Sequence, residues 1–239
     1  MMNPSIQLGV RLQTLYELIL DRQRPTRRYD QIWDCCCDHG YLGRALLNAN
    51  CCEQVIFVDQ VPHIMDRLAD RLRTVRSGFQ LITGDAGKLS LASEKSQLVI
   101  LAGVGGEQLV EMLIDLEALN PGASVDYLLC PVNHTRALRQ YLHQNPQRFK
   151  LLHERILCDR GRFYEVLFTT SHDSSVTEAK ISLCGEMWDF SLADHQTYHA
   201  KLLRYYRARL RNDPDGLAAQ ALEDYQSLNS ITASDAPSR

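Results

Sequence analysis

DCCCDHGYLG, residues 34–43, follows the apolar pair Ile32-Trp33 and runs into a segment of helical apolar spacing, so it reads as the corner between a strand and a helix. Three adjacent cysteines, two acids and a histidine at one corner admit a metal site, a redox site or a cofactor loop. Metal sites want ligands spaced as in C-x2-C or H-x3-H. Here Cys35, Cys36 and Cys37 are contiguous, as are Cys51 and Cys52, and contiguous strand residues point to opposite faces. No metal is expected. A disulfide framework is out of keeping with a chain of 239 residues, long enough to build a full core. The eight cysteines read instead as small, easily buried residues in a reducing compartment.

Outward from that corner, apolar runs alternate with helical patterns. Leu8, Leu12, Leu15 and Ile19, preceded by Asn3-Pro4-Ser5, predict an N-terminal helix. Strands are predicted over 31–36, 54–58, 79–83, 97–102 and 125–130, with helices over 41–49, 62–75, 106–118 and 134–143. Repeated strand-helix units imply a parallel sheet covered by helices on both faces. The series ends differently: runs 151–158 and 163–169, joined by Asp159-Arg160-Gly161-Arg162, predict a hairpin. A parallel α/β sheet closed by an antiparallel hairpin is the Rossmann-like class I methyltransferase architecture. Residues 1–170 are therefore expected to form the cofactor-binding domain.

Beyond it, SHDSSVTE (171–178) has the composition of a linker, and Leu192, His195, Tyr198, Leu202, Tyr205 and Leu210 form a helical stripe within 192–211. With a second helix over 214–226, residues 171–226 are expected to form a small helical appendage, and 227–239 a disordered tail. No window approaches the roughly 20 apolar residues of a membrane span, and the N-terminus lacks a secretory pattern. A cytoplasmic protein without a membrane partner is expected. The net charge of −3 excludes a uniformly basic nucleic-acid coat but allows a local basic patch.

In such a sheet, ligands bind at the carboxyl ends of the strands, where the strand order reverses. Asp59 ends the second predicted strand, VIFVD, where an acid would meet ribose hydroxyls; it could also cap the helix starting at Pro62. Asp85, after the third strand, is placed to meet an adenine amino group or to form a turn. The fourth strand runs into LAGVGGEQL, whose Gly103, Gly105 and Gly106 permit close backbone approach at the acceptor position. It lacks the N/D-P-P-Y/F sequence that grips an exocyclic amino group.

These elements resemble the bacterial TrmK-type tRNA methyltransferases, which modify N1 of adenine 22. The family's D-I-G-S-D-H-A/G-Y-L-P is similar to Asp34-Cys35-Cys36-Cys37-Asp38-His39-Gly40-Tyr41-Leu42-Gly43, and its I-A-G-M-G-G to Leu101-Ala102-Gly103-Val104-Gly105-Gly106. Its Q-P-N resembles Cys130-Pro131-Val132-Asn133, and its G-K-x-Y-E-I hairpin resembles Gly161-Arg162-Phe163-Tyr164-Glu165-Val166. The likeness covers roughly residues 8–226. It departs where Cys36 replaces a glycine, Cys37 a serine and Cys130 a glutamine, and where Val132 is inserted before Asn133. The resemblance implies S-adenosylmethionine as cofactor, held by Asp34, Cys36, Gly40, Tyr41, Asp59, Gln60, Asp85, Ala86, Ala102 and Gly103. It implies tRNA as partner and adenine N1 as acceptor, with Asp38, His39 and Asn133 in the catalytic roles.

Adenine N1 already carries a lone pair, so no strong base is required. The protein must place N1 in line with the methyl and supply negative potential for the forming cation. Asp38 is the candidate for that potential, unless it holds the cofactor's amino group or caps the helix beginning at Tyr41. His39 either orients Asp38, touches the base or is structural. Asn133 could bond the adenine edge, and Tyr41 could stack or pack. A rival within the enzyme class uses Cys130 as the nucleophile of a cytosine-C5 transfer, but no second, releasing cysteine sits at a matching strand. Arg22, Arg24, Arg27 and Arg28, Arg67, Arg71, Arg73 and Arg76, and Arg204, Arg207, Arg209 and Arg211 are candidates for phosphate contact. The alternatives are a methyltransferase with a different RNA target, or a cofactor-binding protein without catalysis that acts through its helical tail.

Overall fold

Apolar runs of five to eight residues bounded by turn residues form the five parallel strands β1 (Tyr29–Cys35), β2 (Cys52–Asp59), β3 (Phe79–Thr83), β4 (Gln97–Ala102) and β5 (Val125–Cys130). The computed structural model describes residues 6–23, 28–172, 179–213 and 215–234. Helices α1 (Val10–Gln23), α2 (Tyr41–Ala49), α3 (Pro62–Leu72), α4 (Gly106–Leu119) and α5 (Thr135–Gln144) accompany the strands. The hairpin β6 (Lys150–Asp159) and β7 (Arg162–Thr170) completes a seven-stranded sheet in the order β3-β2-β1-β4-β5-β7-β6, with β7 antiparallel to both neighbours. The sheet is thus the predicted parallel sheet closed by an antiparallel hairpin, and β1 lies at the point where the chain reverses direction across it.

Strand side chains alternate between two cores, as pleating requires. Ile32, Val55, Phe57, Leu98, Ile100 and Leu128 pack beneath α1, α2 and α3. Trp33, Ile56, Val58, Val99, Leu101 and Leu129 pack beneath α4 and α5. The alternation ends at the corner: Cys35 and Cys36 both pack against the second core, because the chain leaves the strand at Cys36 with a left-handed backbone (φ +54°), and Cys37 packs against the first. Among the described residues no three metal-ligating side chains are grouped, and no cysteine is in a disulfide. The hairpin is tied to α5 by buried Arg139, whose Nε donates to Glu165 (2.6 Å) and Nη2 to Glu154 (2.7 Å).

The chain divides into Met1–Ile181 and Ser182–Arg239, so the first unit extends eleven residues past the expected boundary at 170. The reason is packing: Ile181 is buried in the core beneath α5, and its carbonyl lies 2.9 Å from His143 Nδ1. The second unit holds α6 (Ala193–Arg209) and α7 (Leu217–Ser234). Helix α7 therefore continues through 227–234, where a disordered tail was expected; residues 235–239 and 173–178, with most of the expected linker, lie outside the described residues. Trp188 organises this unit, stacking on Phe190 and Tyr198 at ring separations of 5.7 Å and meeting Tyr225 edge-on. No described helix is long and apolar enough to cross a membrane.

Candidate active site at the carboxyl edge of the sheet

Parallel register places the ends of β1, β2 and β3 side by side, with Cys35 level with Val58 and Asp59 level with Thr83. The chain leaves β1 through three left-handed residues, Cys36 (φ +54°), Asp38 (φ +47°) and Gly40 (φ +64°). Such backbone is cheap for glycine but costs other residues roughly 1–2 kcal/mol, and it is tolerated where surrounding contacts over-determine it. Those contacts are present. Cys37 N–H donates to Val58 O (3.2 Å), Gly40 N–H to Cys37 O (2.7 Å), and Asp38 N–H to Asp59 Oδ2 (3.1 Å). Asp59 Oδ1 accepts from Val61 N–H at 3.0 Å, so one carboxylate fixes both the β1 corner and the start of α3. Asp85 Oδ1 accepts from Gly87 N–H (2.9 Å), capping the short 3-10 turn Ala86–Lys88.

Asp34 is 5% exposed, and its Oδ2 accepts from Gly43 N–H at 2.9 Å in the first turn of α2. A side chain at position 43 would strike the Phe57 ring and stand 2.7 Å from Asp34 Oδ2, so only glycine lets α2 approach this closely. Burial pushes the Asp34 carboxyl up to about 7; the Gly43 N–H opposes this, and the Asp59 charge adds to it. Burial, together with the carboxylates of Asp59, Asp34 and Asp85, raises the Cys36 thiol to about 11. Acids from three successive strand ends thus converge around Cys36.

The other half of the edge is built from two laced loops. Gly103 N–H donates to Cys130 O (3.2 Å), Val132 N–H to Val104 O (2.9 Å), and Gly106 N–H to Asn133 O (2.9 Å). Asn133 is exposed, and a methyl built on Gly105 would lie 2.8 Å from its Oδ1. Burial pushes the Cys130 thiol up to about 12 despite a lowering influence from Arg11, so it stays protonated, which disfavours the cysteine-nucleophile alternative.

A family model described as "Methyltransferase domain" matches residues 8–167, which include every strand end described above. The chain belongs to this methyltransferase-domain family. A Mycoplasma pneumoniae protein named as a candidate tRNA methyltransferase is 26% identical over 206 residues, spanning 84% of this chain and 88% of its own. Among solved structures, Streptococcus pneumoniae Sp1610, a candidate tRNA (m1A22) methyltransferase in complex with S-adenosyl-L-methionine, superposes with TM-score 0.73 at 16% identity. It covers 93% of this chain and 99% of its own. The B. subtilis m1A22 tRNA methyltransferase TrmK superposes with TM-score 0.68 at 18% identity, covering 96% and 98%. At these identities the superpositions establish the fold.

Within this methyltransferase domain, the residues expected from sequence fall into two groups. Asp34, Cys36, Gly40, Asp59 and Asp85 gather at the ends of β1, β2 and β3, with exposed Gln60 and buried Ala86 immediately after their acids. Ala102, Gly103 and Asn133 belong to the laced loops of β4 and β5. Asp38 and His39 lie on the exposed side of the corner, 3.7 Å apart between Oδ1 and Nε2. The cap of α2 is Gly40 rather than Asp38. Tyr41 is 42% exposed, with His39 edge-on at 5.6 Å and the Arg71 guanidinium 5.9 Å from its ring centre.

Several of the expected phosphate-binding arginines serve the fold. Arg22 pairs with Asp126, Arg28 with Asn50 and Cys52 O, Arg73 with Asp70, and Arg71 donates to His39 O. Arg24 and Arg27 lie outside the described residues. Arg11 was not anticipated at all. It sits on the core-facing stripe of α1, three residues after Leu8 and four before Leu15, and an arginine in such a stripe is the signal that would have exposed it.

The buried Asp34 carries a pH consequence. Its folded value of about 7 exceeds the unfolded 3.8, so its contribution to stability is complete below pH 3.8 and is lost as pH rises through 7. At about 1.4 kcal/mol per pH unit over roughly three units, the loss approaches ~4 kcal/mol. Urea unfolding at pH 5 and pH 8 should show Asp34→Asn with a markedly smaller pH dependence than the wild type; equal dependence would contradict the assignment.

Proposed function

We propose that this protein is an S-adenosylmethionine-dependent RNA methyltransferase that transfers a methyl group to N1 of an adenine in tRNA. The convergence of Asp34, Asp59 and Asp85 around Cys36, beside a glycine-lined second loop, is the observation that carries this reading. The donor set fits the cofactor: Asp59 keeps free lone pairs for ribose hydroxyls, and exposed Asp85 is available to an adenine amino group. Asp34 acts at one remove by holding the first turn of α2. When bound, S-adenosylmethionine supplies a methyl activated by its sulfonium charge.

The remaining demands fall on side chains of this chain. Positioning of N1 against the methyl can contribute about 7–11 kcal/mol. Asp38, exposed and 3.7 Å from His39, supplies negative potential as the adenine ring becomes cationic, and His39 orients it. Asn133, at the tip of the β5 loop, bonds the adenine edge. The tRNA partner is supported by the names of the relatives and by α6 and the turn after it, where Arg204, Arg207, Arg209 and Arg211 are all exposed. The Arg209 guanidinium lies over the Tyr205 ring, its carbon 4.4 Å from the ring centre.

The test is transfer of radiolabelled methyl to bulk tRNA from a strain lacking the protein, with nucleoside mass spectrometry of the product. N1-methyladenosine is expected. Cofactor binding without any new methylated nucleoside would instead favour a binding protein that does not catalyse. In the same assay Asn133→Ala should keep cofactor affinity within about threefold and lower transfer roughly 10–100-fold, the cost of one lost polar contact of about 1.5–3 kcal/mol. A collapse of cofactor binding in that variant would reject the assignment of Asn133 to the base.

A further inference from the structure

Arg11 is half-buried, yet among the described residues its guanidinium has no carboxylate partner and no hydrogen-bond acceptor. The contrast with Arg139, which holds two buried glutamates, and with Arg22, which holds Asp126, sets it apart. Partly buried arginines ordinarily spend their charge on a partner, because removing it from water otherwise goes uncompensated. The position is fixed from two sides. The Arg11 backbone N–H donates to Asp159 Oδ2 at 3.5 Å, anchoring the first turn of α1 to the end of β6, and the guanidinium carbon lies 5.2 Å from the centre of the Tyr164 ring on β7. Nη1 reaches 4.0 Å from a methyl built on Gly103, and the Arg11 charge is felt at the buried Cys130 thiol. Arg11 therefore stands at the carboxyl edge of β4 and β5, on the side of the sheet where Asn133 and the glycine loop lie.

A guanidinium held over a tyrosine ring by cation–π attraction still has its five N–H donors, fixed in one plane as a fork, to offer to another group. Such a fork matches a phosphate oxygen pair better than a lone base nitrogen. The charge also discriminates. An adenine methylated at N1 becomes cationic, and an arginine on its edge would oppose that step, whereas an arginine on a flanking phosphate would not. We propose that Arg11, held over the Tyr164 ring, binds an RNA phosphodiester next to the target nucleotide and so positions the base over the glycine loop. This rests on the RNA-methyltransferase reading above.

The experiment compares the full-length wild type with Arg11→Met, Arg11→Lys, Tyr164→Leu and Tyr164→Phe, measuring kcat and KM for tRNA across a salt series and cofactor affinity by calorimetry. Arg11→Met should raise KM for tRNA about 10-fold, leave cofactor affinity within threefold, and reduce the slope of log affinity against log salt by about one. Arg11→Lys should restore the slope without restoring the full affinity, because the charge returns but the fork does not. Tyr164→Phe should match the wild type, and Tyr164→Leu should raise KM with an unchanged slope. A kcat loss in Arg11→Met with wild-type KM and salt slope would overturn the inference and leave the residue a structural role. Thermal unfolding of each variant separates misfolding from lost contact. If the wild type itself transfers no methyl to tRNA, the functional reading fails whatever Arg11 does; if it does and Arg11→Met equals it, only the phosphate subsite fails.

Discussion

Asp59→Ala is expected to weaken S-adenosylmethionine binding roughly 100-fold or more, read by calorimetry, with a parallel loss of transfer. The size follows from how much this carboxylate holds. Its Oδ2 takes the Asp38 N–H and its Oδ1 the Val61 N–H, and the proposed reading gives the remaining lone pairs to the ribose hydroxyls. Each hydrogen bond to a charged group contributes about 1.5–3 kcal/mol, and a tenfold change in affinity corresponds to about 1.4 kcal/mol. Loss of the ligand contact alone would account for about 10–100-fold. Loss of the Asp38 tie frees a corner that contains two left-handed non-glycine residues, Cys36 and Asp38, and the ordering of that corner must then be supplied by binding. Asp59→Asn should be intermediate: it keeps one acceptor but turns a donor toward one of two N–H groups. Affinity of Asp59→Ala within threefold of the wild type would show that the cofactor does not meet this acid.

The convergence that supports this prediction was largely written in the chain. Asp34 and Asp59 each close an apolar run and Asp85 follows the next one, and parallel strands set side by side must bring their ends together. The sheet itself was readable for the same reason, since 79–83, 97–102 and 125–130 are largely apolar blocks flanked on both sides by Gly, Ser or Pro. What could not be read depends on long-range partners. Nothing in residues 8–23 announces that Arg11 will meet Tyr164 and Asp159, about 150 positions away, and nothing near Arg22 announces Asp126. The turn-holding role of Asp59 and Asp85, beside the cofactor role proposed for them, depends on a loop path that spacing does not encode. Helix α7 outran its expected end because extending a formed helix by one residue costs far less than starting one, so a polar stretch can follow a stable turn.

Gly106→Ala should be the most damaging single methyl in the acceptor half of the site. A methyl at this position collides with the backbone oxygen of His134 and stands 2.8 Å from its carbonyl carbon. Both atoms belong to the turn that enters α5, and that turn is fixed by the Gly106 N–H donating to Asn133 O at 2.9 Å. Backbone on both sides leaves no rotamer to absorb the clash, so the β4 and β5 loops must move apart. Overpacking of this kind costs about 1–3 kcal/mol in stability, and a displacement of about 1 Å in a positioned group can lower a rate 100-fold. Transfer by Gly106→Ala is therefore expected to fall about 100-fold, while cofactor affinity, most of whose proposed contacts lie at the ends of β1, β2 and β3, stays within about threefold. Gly105→Ala is the control. Its methyl meets the far end of the Asn133 side chain at 2.8 Å, which can swing aside, so its transfer loss should be no larger than that of Asn133→Ala. Equal damage from the two alanines, or a cofactor affinity that falls in step with transfer in Gly106→Ala, would mean that the two halves of the edge do not act separately.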